Sequence, residues 1–310
     1  MENPFTSYMV LPDLTVDSTY IDFVVNDFID RDSVTLLVSA PGCGKTALSF
    51  HLAKCLSTGG EFLGMQTRVL GRCAFLQFDM SERKHIAYNK MFAPDCPIRF
   101  ISGNVLDETR NPVDLTDTKT LSNLKNWCHL EGIEVLFIDT LSTAFIGLDE
   151  NSNSDMTMAM QILRSLSQSG ITVIALHHVA KGEYGYSTHT RGASALSGCT
   201  DNEIKLIEKS FGIEVSVSKS RCTDKGVKAT FTISDGVIKV VDNEQRKYTE
   251  DELRLLKAFK NNETLTRQDV VNACRFSPNR AQVVLSYAVS NGLLHKVKNG
   301  KADIYSLSPK

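Results

Sequence analysis

The chain has 310 residues, of which 42% are hydrophobic and 23% charged, and it carries a net charge of −2. This composition is typical of a globular protein with one large core and room for a small second domain. No apolar stretch is long enough to span a membrane. The eight scattered cysteines form no C-x-x-C pair, which argues against a zinc site or a disulfide framework and predicts a cytoplasmic protein.

A predicted strand leads directly into a phosphate-binding motif. After residues 1–30, which we assign to an amino-terminal arm, the apolar run Val34–Val38 precedes Ser39–Thr46, which reads S-A-P-G-C-G-K-T, and an apolar helix follows. The glycines of such a loop let the backbone approach a triphosphate, Lys45 reaches the β and γ phosphates, and the terminal threonine offers its hydroxyl to Mg²⁺. The first glycine of the usual motif is a serine here, which we expect to be tolerated. Nucleotide contacts are predicted at Gly42, Cys43, Gly44, Lys45, Thr46 and Ala47.

Two further predicted strands end in carboxylates. The run Cys73–Phe78 is followed by Asp79, which could activate water for attack on the γ phosphate, and Glu82 is its rival for that role. The apolar run Glu134–Thr140 contains Asp139 at its end, and continuous apolar runs are typical of central parallel strands. Because ligands bind at the carboxyl ends of such strands, we expect Asp139 to hold Mg²⁺ through water.

A fourth apolar run, Ile171–Leu176, ends in two histidines. A lone histidine on an apolar face is more often structural. Two in succession at a strand's exit, in a chain with a phosphate loop, instead suggest a sensor of the γ phosphate. We favour His178 over His177 for this role.

These four strand ends resemble those of RecA-like ATPases of the hexameric helicase group. The RepA-type plasmid helicases are the most similar, and the DnaB-type replicative helicases come next. The resemblance covers roughly Tyr20–Ile238 and includes Arg191–Leu196 and Val217–Arg221. It implies an α/β fold with a RecA-like, mostly parallel sheet flanked by helices, in a core spanning residues 31–241. The family normally has glutamate at the position of Asp79, so the shorter side chain bears on hydrolysis rate rather than on ATP binding.

The resemblance also implies a role for two cations after an alternating strand. In similar helicases a K-x-R motif at the position of Lys219 and Arg221 points across the subunit boundary into the neighbour's ATP. The arginine there stabilises the charge that develops in the transition state. A basic hairpin tip in solvent is the alternative. A trans-acting pair requires a homo-oligomer, and the family implies a hexameric ring.

The loop Lys181–Arg191 mixes glycines, aromatic residues and cations. This composition suits contact with a single strand of DNA, and in RecA-like rings the matching loop lines the central channel. An ordinary surface loop is equally compatible with the sequence. For Met1–Asp13 the sequence gives no basis to choose between packing on the core and packing on a neighbour.

The end of the chain is basic. Residues 246–310 carry twelve Lys and Arg and six Asp and Glu, a net charge of +6, whereas the preceding residues carry a net charge of −8. Starts of helices are predicted at Thr249, at Thr266 and at Ser277-Pro278, and a hairpin with an Asn-Gly turn follows. This pattern over residues 248–310 resembles a winged helix-turn-helix domain. The helix from Pro278 would read duplex DNA, and its wing would carry Lys296, Lys298 and Lys301. Docking of a protein is the alternative.

Together these features predict an ATP- and Mg²⁺-dependent motor that binds DNA and forms a homo-oligomer. The best match is a replicative helicase of a plasmid, phage or other mobile element. A recombinase-like annealing ATPase and a DNA-binding loader that uses ATP only for assembly are the alternatives.

Overall fold

The structure is a computed structural model that describes residues 21–96, 98–103, 112–178, 193–209, 211–241, 250–260, 262–290, 293–299 and 302–308. The chain divides into two compact units. The first consists of residues 1–208 and 212–241, and the second consists of residues 209–211 and 242–310. None of the described helices is both long and apolar enough to cross a membrane. The predicted DNA-contacting loop Lys181–Arg191 and the segment Met1–Asp13 lie outside the described residues.

The first unit is built on a nine-stranded sheet. In spatial order its strands are β13 (Val237–Val240), β12 (Gly226–Ser234), β11 (Gly212–Lys219), β10 (Asn202–Lys209), β3 (Val34–Ser39), β9 (Thr172–His178), β8 (Val135–Asp139), β6 (Cys73–Gln77) and β7 (Arg99–Ser102). The strands from β10 to β7 pair in parallel, whereas β11, β12 and β13 pair antiparallel to one another. This confirms the predicted mostly parallel sheet.

Helices cover both faces of this sheet. They are α1 (Lys45–Thr58), α2 (Glu82–Phe92), α3 (Thr118–Glu131), α4 (Asn153–Ser167) and α5 (Ala193–Cys199). Residues of α1 and α2 pack into one hydrophobic core, and residues of α3, α4 and α5 pack into the other. Neighbouring residues of β3 enter opposite cores, as side-chain alternation along a strand requires. Burial on both faces explains the continuous apolar runs of the central strands.

Two short hairpins complete the first unit. They are β1 (Phe23–Val25) with β2 (Ile29–Asp30), and β4 (Glu61–Phe62) with β5 (Met65–Gln66). Val24, Phe28 and Ile29 are fully buried in the core that also contains α1. These three residues pack into the core, whereas the sequence analysis assigned residues 1–30 to an amino-terminal arm. Strands of two or three residues are too short to show a periodic pattern in the sequence.

The second unit has its own small core. Its elements are α6 (Glu250–Phe259), β14 (Thr264–Thr266), α7 (Arg267–Cys274), α8 (Pro278–Ser290), β15 (Leu294–Asn299) and β16 (Ala302–Leu307). Strand β16 lies between β14 and β15 and pairs antiparallel with both. Thr266 and Asp269 form a capping box at the start of α7, and the Ser277 hydroxyl accepts the N–H of Arg280 at the start of α8. The sequence predicted these two helix starts but not β14; Thr249 and Lys301 lie outside the described residues.

Candidate nucleotide-binding site

The four predicted strand ends meet at one edge of the sheet. Strands β3, β9, β8 and β6 are consecutive neighbours and run in parallel, so their carboxyl ends lie side by side. The phosphate-loop motif follows β3, His178 ends β9, Asp139 ends β8, and Asp79 follows β6. Parallel pairing thus brings together residues that are up to about 140 positions apart in the chain.

The loop after β3 has the backbone geometry that anion binding requires. Gly42 and Gly44 have φ angles of +80° and +82°, in the left-handed region that favours glycine. A Cβ at Gly44 would lie 2.6 Å from Cδ1 of Ile233, so the tip of that side chain would have to shift to admit one. Gly44 caps α1 without a side-chain hydrogen bond. The N–H groups of the first helical turn are therefore left for an anion in the loop.

Lys45 is held at the centre of the site. It is only 5% exposed, and its Nζ donates to the Ser39 hydroxyl at 2.9 Å and to the carbonyls of Ser39 and Ala40 at 3.2 and 3.3 Å. Its fourth neighbour is Nδ1 of His178, at 3.0 Å. Burial lowers the pKa of Lys45 to about 8, although the nearby carboxylate of Asp139 opposes the shift. An arriving phosphate would replace the uncharged partners of this ammonium.

Thr46 and Asp139 provide a pair of oxygen ligands suited to Mg²⁺. The Thr46 hydroxyl donates to Oδ2 of Asp139 at 2.8 Å, and Asp139 is 1% exposed. Burial raises the pKa of Asp139, while hydrogen bonds from Thr46 and Gln77 lower it. Hard oxygen donors next to a phosphate loop are the ligand set that Mg²⁺ takes in nucleotide sites. The residues present therefore fit this ion.

Asp79 and His178 lie next to each other beside Lys45. Nε2 of His178 lies 3.5 Å from Oδ2 of Asp79, while its Nδ1 faces Lys45. The imidazole thus connects the central cation to the carboxylate expected to activate water. Glu82, the rival base, is the first residue of α2 and is exposed.

His177 lies apart from this arrangement. It is 6% exposed, and its Nδ1 has no hydrogen-bond partner among the described residues. With Ser142 and Glu150 it lines a small pocket, and burial lowers its pKa. The structure therefore places His178, and not His177, against Lys45.

Two predicted nucleotide contacts have side chains that pack into the core and not into the space enclosed by the phosphate loop. Cys43 is 5% exposed and Ala47 is 6% exposed, and both belong to the hydrophobic core around α1. Burial raises the pKa of the Cys43 thiol, so the thiolate is disfavoured. These residues can contact a phosphate only through their backbone N–H groups.

Gln77 is a site residue that the sequence analysis missed. Its amide is fully buried and lies between Asp139 and Asp79. The available signal was a single amide side chain at the end of an otherwise apolar strand. Its role can be seen only once β6 is paired with β8.

Lys219 and Arg221 lie at the end of the sheet where the parallel strands begin, opposite the phosphate loop. The hydroxyls of Ser218 and Ser220 bond to Glu203 and Asn202, so the end of β11 lies beside the start of β10. Strand β10 in turn runs parallel to β3, so this edge is where β3 begins. Five residue steps of about 3.3 Å each separate it from the phosphate loop, roughly 16 Å in all.

Both cations contact their own chain there. Nζ of Lys219 donates to the carbonyls of Ser197, Gly198 and Thr200 around the end of α5, with the latter two at 2.8 Å. Nε of Arg221 lies 3.4 Å from Oδ1 of Asp201. The Arg221 side chain is 55% exposed, so it retains freedom to reach another molecule.

Comparison with known proteins identifies the class. The model of the AAA domain family (AAA_25) matches residues 13–183, more than half of the chain, and the chain therefore belongs to this family. No curated protein matches the chain. A solved structure of a KaiC-like protein from the hyperthermophilic archaeon Pyrococcus horikoshii OT3 is similar, with a TM-score of 0.50 and 16% sequence identity. The match covers 71% of this chain and 95% of that protein, and it shows the RecA-like fold.

Family and fold together define a nucleotide-binding P-loop ATPase with a RecA-like core. This confirms the prediction, made from the four strand ends, that the chain is a RecA-like P-loop ATPase.

Proposed function

We propose that this protein is an ATP- and Mg²⁺-dependent DNA motor that works as a homo-oligomeric ring in the cytoplasm. Its specific activity would be that of a RepA- or DnaB-like replicative helicase of a mobile element. The observation that carries this proposal is the position of Arg221, at the edge of the sheet opposite its own phosphate loop. An arginine so placed can assist hydrolysis only in a neighbouring subunit.

Residues at the carboxyl ends of the parallel strands, here called the carboxyl edge, would bind and hydrolyse ATP. The loop N–H groups and Lys45 hold the triphosphate, and Thr46 and Asp139 hold Mg²⁺, which neutralises charge on the phosphate oxygens when bound. Asp79 orients a water molecule and takes its proton as the water oxygen bonds to the γ phosphorus and the bond to the ADP oxygen breaks. His178, in contact with both Lys45 and Asp79, senses the γ phosphate.

Residues at the amino ends of the parallel strands, here called the amino edge, would act on the nucleotide of the neighbouring subunit. Arg221 would leave Asp201 to stabilise charge on the phosphoryl group of the adjacent subunit, and Lys219 would contact the same nucleotide. Exposure of the Arg221 side chain supports this role, because only a weak contact with Asp201 must be given up. Such action between subunits requires an oligomer, and the resemblance to hexameric helicases favours a ring of six subunits.

The second unit would bind duplex DNA as a winged helix. Three helices and a three-stranded sheet with the hairpin β15–β16 support this assignment. In the described part of this unit, eight basic residues are exposed, as expected for contacts with phosphates. They are Arg254, Lys257, Lys260, Arg267, Arg275, Arg280, Lys296 and Lys298. Single-stranded DNA would pass the loop Lys181–Arg191 in the centre of the ring.

Unwinding of a forked duplex by the full chain tests the proposal. With Mg²⁺ and ATP the wild type should separate the strands, native mass measurement should show a ring, and Lys45→Ala should be inactive. Filaments on single strands without unwinding would identify an annealing ATPase instead. Assembly that depends on ATP binding but not on hydrolysis, again without unwinding, would identify a loader.

A further inference from the structure

Gln77 is a buried polar residue at the last position of β6. In the parallel register of β6 and β8 it lies directly opposite Asp139, and it is 0% exposed. A buried primary amide is costly unless its donors and acceptor are satisfied. The partners of this amide therefore explain why it is compatible with an apolar strand.

Both ends of the Gln77 amide contact the nucleotide site. Its Nε2 donates to Oδ2 of Asp139 at 3.1 Å, and its Oε1 accepts the backbone N–H of Asp79 at 2.8 Å. A carboxylate can only accept and a backbone N–H can only donate, so the orientation of the amide is fixed by its partners. A rotated amide would place a donor against a donor.

The backbone around this residue is also anchored. The N–H of Gly103 donates to the Gln77 carbonyl at 2.8 Å, and the N–H of Phe78 donates to the Asp139 carbonyl at 2.7 Å. The side chain therefore extends from a rigid strand end. It has one orientation and two fixed partners, one on the Mg²⁺ side of the site and one on the water-activating side.

We infer that Gln77 is a positioning residue that couples the Mg²⁺ ligand Asp139 to the general base Asp79. This inference rests on the proposed function. The NH₂ group fixes the carboxylate oxygen that also receives the Thr46 hydroxyl. The amide oxygen fixes the backbone from which the Asp79 carboxylate projects. Loss of the amide should therefore change the Mg²⁺ requirement and the turnover rate together.

A merely structural role predicts a different result. A buried amide that only fills space would lower stability when replaced, with the Mg²⁺ requirement unchanged. Leu76→Val serves as the control for strand packing, because Leu76 is also 0% exposed on β6. Gln66→Met, at an exposed glutamine on β5, controls for the chemical change itself.

The experiment compares Gln77→Met and Gln77→Glu with these controls in the full chain. For each protein we would measure kcat, KM for ATP, the Mg²⁺ concentration for half-maximal turnover, and thermal unfolding. Equilibrium binding of a non-hydrolysable ATP analogue, titrated with and without Mg²⁺, provides a readout that does not depend on turnover.

Gln77→Met should lower turnover about 10- to 100-fold, as removal of an outer-sphere partner of a metal ligand does. The Mg²⁺ concentration for half-maximal turnover should rise, while analogue affinity without Mg²⁺ stays close to that of the wild type. Gln77→Glu can accept from Asp79 but donates to Asp139 only when protonated. Its Mg²⁺ response should therefore also differ from that of the wild type.

Wild-type Mg²⁺ dependence in a folded Gln77→Met protein would overturn the inference alone, provided that the wild type hydrolyses ATP. A wild type without Mg²⁺-dependent turnover or analogue binding would overturn the proposed function and the inference together. If Gln77→Met fails to fold, Gln77→Glu decides: a Mg²⁺ response equal to that of Leu76→Val would contradict the coupling.

Discussion

Lys45 and Lys219 lie at opposite edges of the same sheet, and both are held by oxygen atoms of their own chain. Lys45 contacts the Ser39 hydroxyl, two carbonyls and His178, whereas Lys219 contacts three carbonyls near the end of α5. Burial lowers the pKa of both ammonium groups. The difference between them lies in what surrounds each cation.

The carboxyl ends of the parallel strands bring together a cation, a hydroxyl, carboxylates and an imidazole: Lys45 contacts His178, His178 lies 3.5 Å from Asp79, and Thr46 donates to Asp139. At the amino edge Arg221 faces Asp201, but that carboxylate is already engaged. It accepts the N–H of Val34 at 2.9 Å and a hydrogen bond from Arg164 at 3.0 Å. The groups at the carboxyl ends of the strands are those of a complete binding site. At the amino ends, Lys219 and Arg221 contact groups of their own chain that already serve the fold. This is the arrangement expected for cations that complete a site in another subunit.

The largest effect should come from removal of the central cation. Lys45→Ala should abolish measurable ATP turnover, because an aimed charge in a buried site contributes most to transition-state stabilisation. The measurement is steady-state phosphate release, with Lys54→Ala on the same helix as control. Comparable losses in both variants would show that general damage to α1 explains the result.

Arg221→Ala should also lower turnover strongly, by roughly 10³-fold if it acts as an arginine finger, while nucleotide affinity stays near normal. Lys225→Ala, exposed on the same connection, is the matched control. Mixing Arg221→Ala with Lys45→Ala subunits should restore part of the activity, since one retains the pocket and the other the arginine. Absence of rescue in verified mixed oligomers would contradict action in trans.

Asp79→Asn should spare nucleotide binding and lower turnover by about 10²-fold, the lower end of the range for a general base. The exposed position of Asp79 and its short side chain favour that lower end. Glu82→Gln, measured in parallel by single-turnover hydrolysis, should be close to wild type. The opposite ranking would assign the base to the first turn of α2.

The site residues easiest to predict from the sequence are those whose role is indicated by their immediate neighbours in the chain. Lys45 and Thr46 were predictable because the motif residues are consecutive, and Asp139 because it ends a strongly apolar run. Gln77 was not, because its two partners become neighbours only through the register of β6 and β8. The contacts of Lys219 were hidden for another reason: its partners are backbone carbonyls, which every residue carries.

The pKa of Lys45 gives the carboxyl edge a pH dependence. The ammonium form binds phosphate, and in the free protein it loses its proton as pH rises through about 8. Affinity for an ATP analogue should therefore fall above that pH, approaching tenfold per pH unit, and binding should take up protons there. Calorimetry in buffers of different ionisation enthalpy measures this uptake. Lys45→Met should show no such break near pH 8; if it does, another group is responsible.

The smallest effect concerns the second unit and tests whether its exposed cations contact DNA. Lys296 donates to Asp303 at 2.8 Å, which raises the pKa of Lys296, so part of its charge is already balanced; Lys298 is exposed. Lys298→Ala should reduce the slope of log affinity for duplex DNA against log salt by roughly 0.9, the value for one lost phosphate contact on B-DNA. Lys296→Ala should reduce the slope less, and Asp303→Asn should increase it by freeing that lysine. Titrations of the full chain at several salt concentrations measure all three slopes. Three slopes equal to that of the wild type would place the DNA contacts away from β15–β16 and favour protein docking for this hairpin.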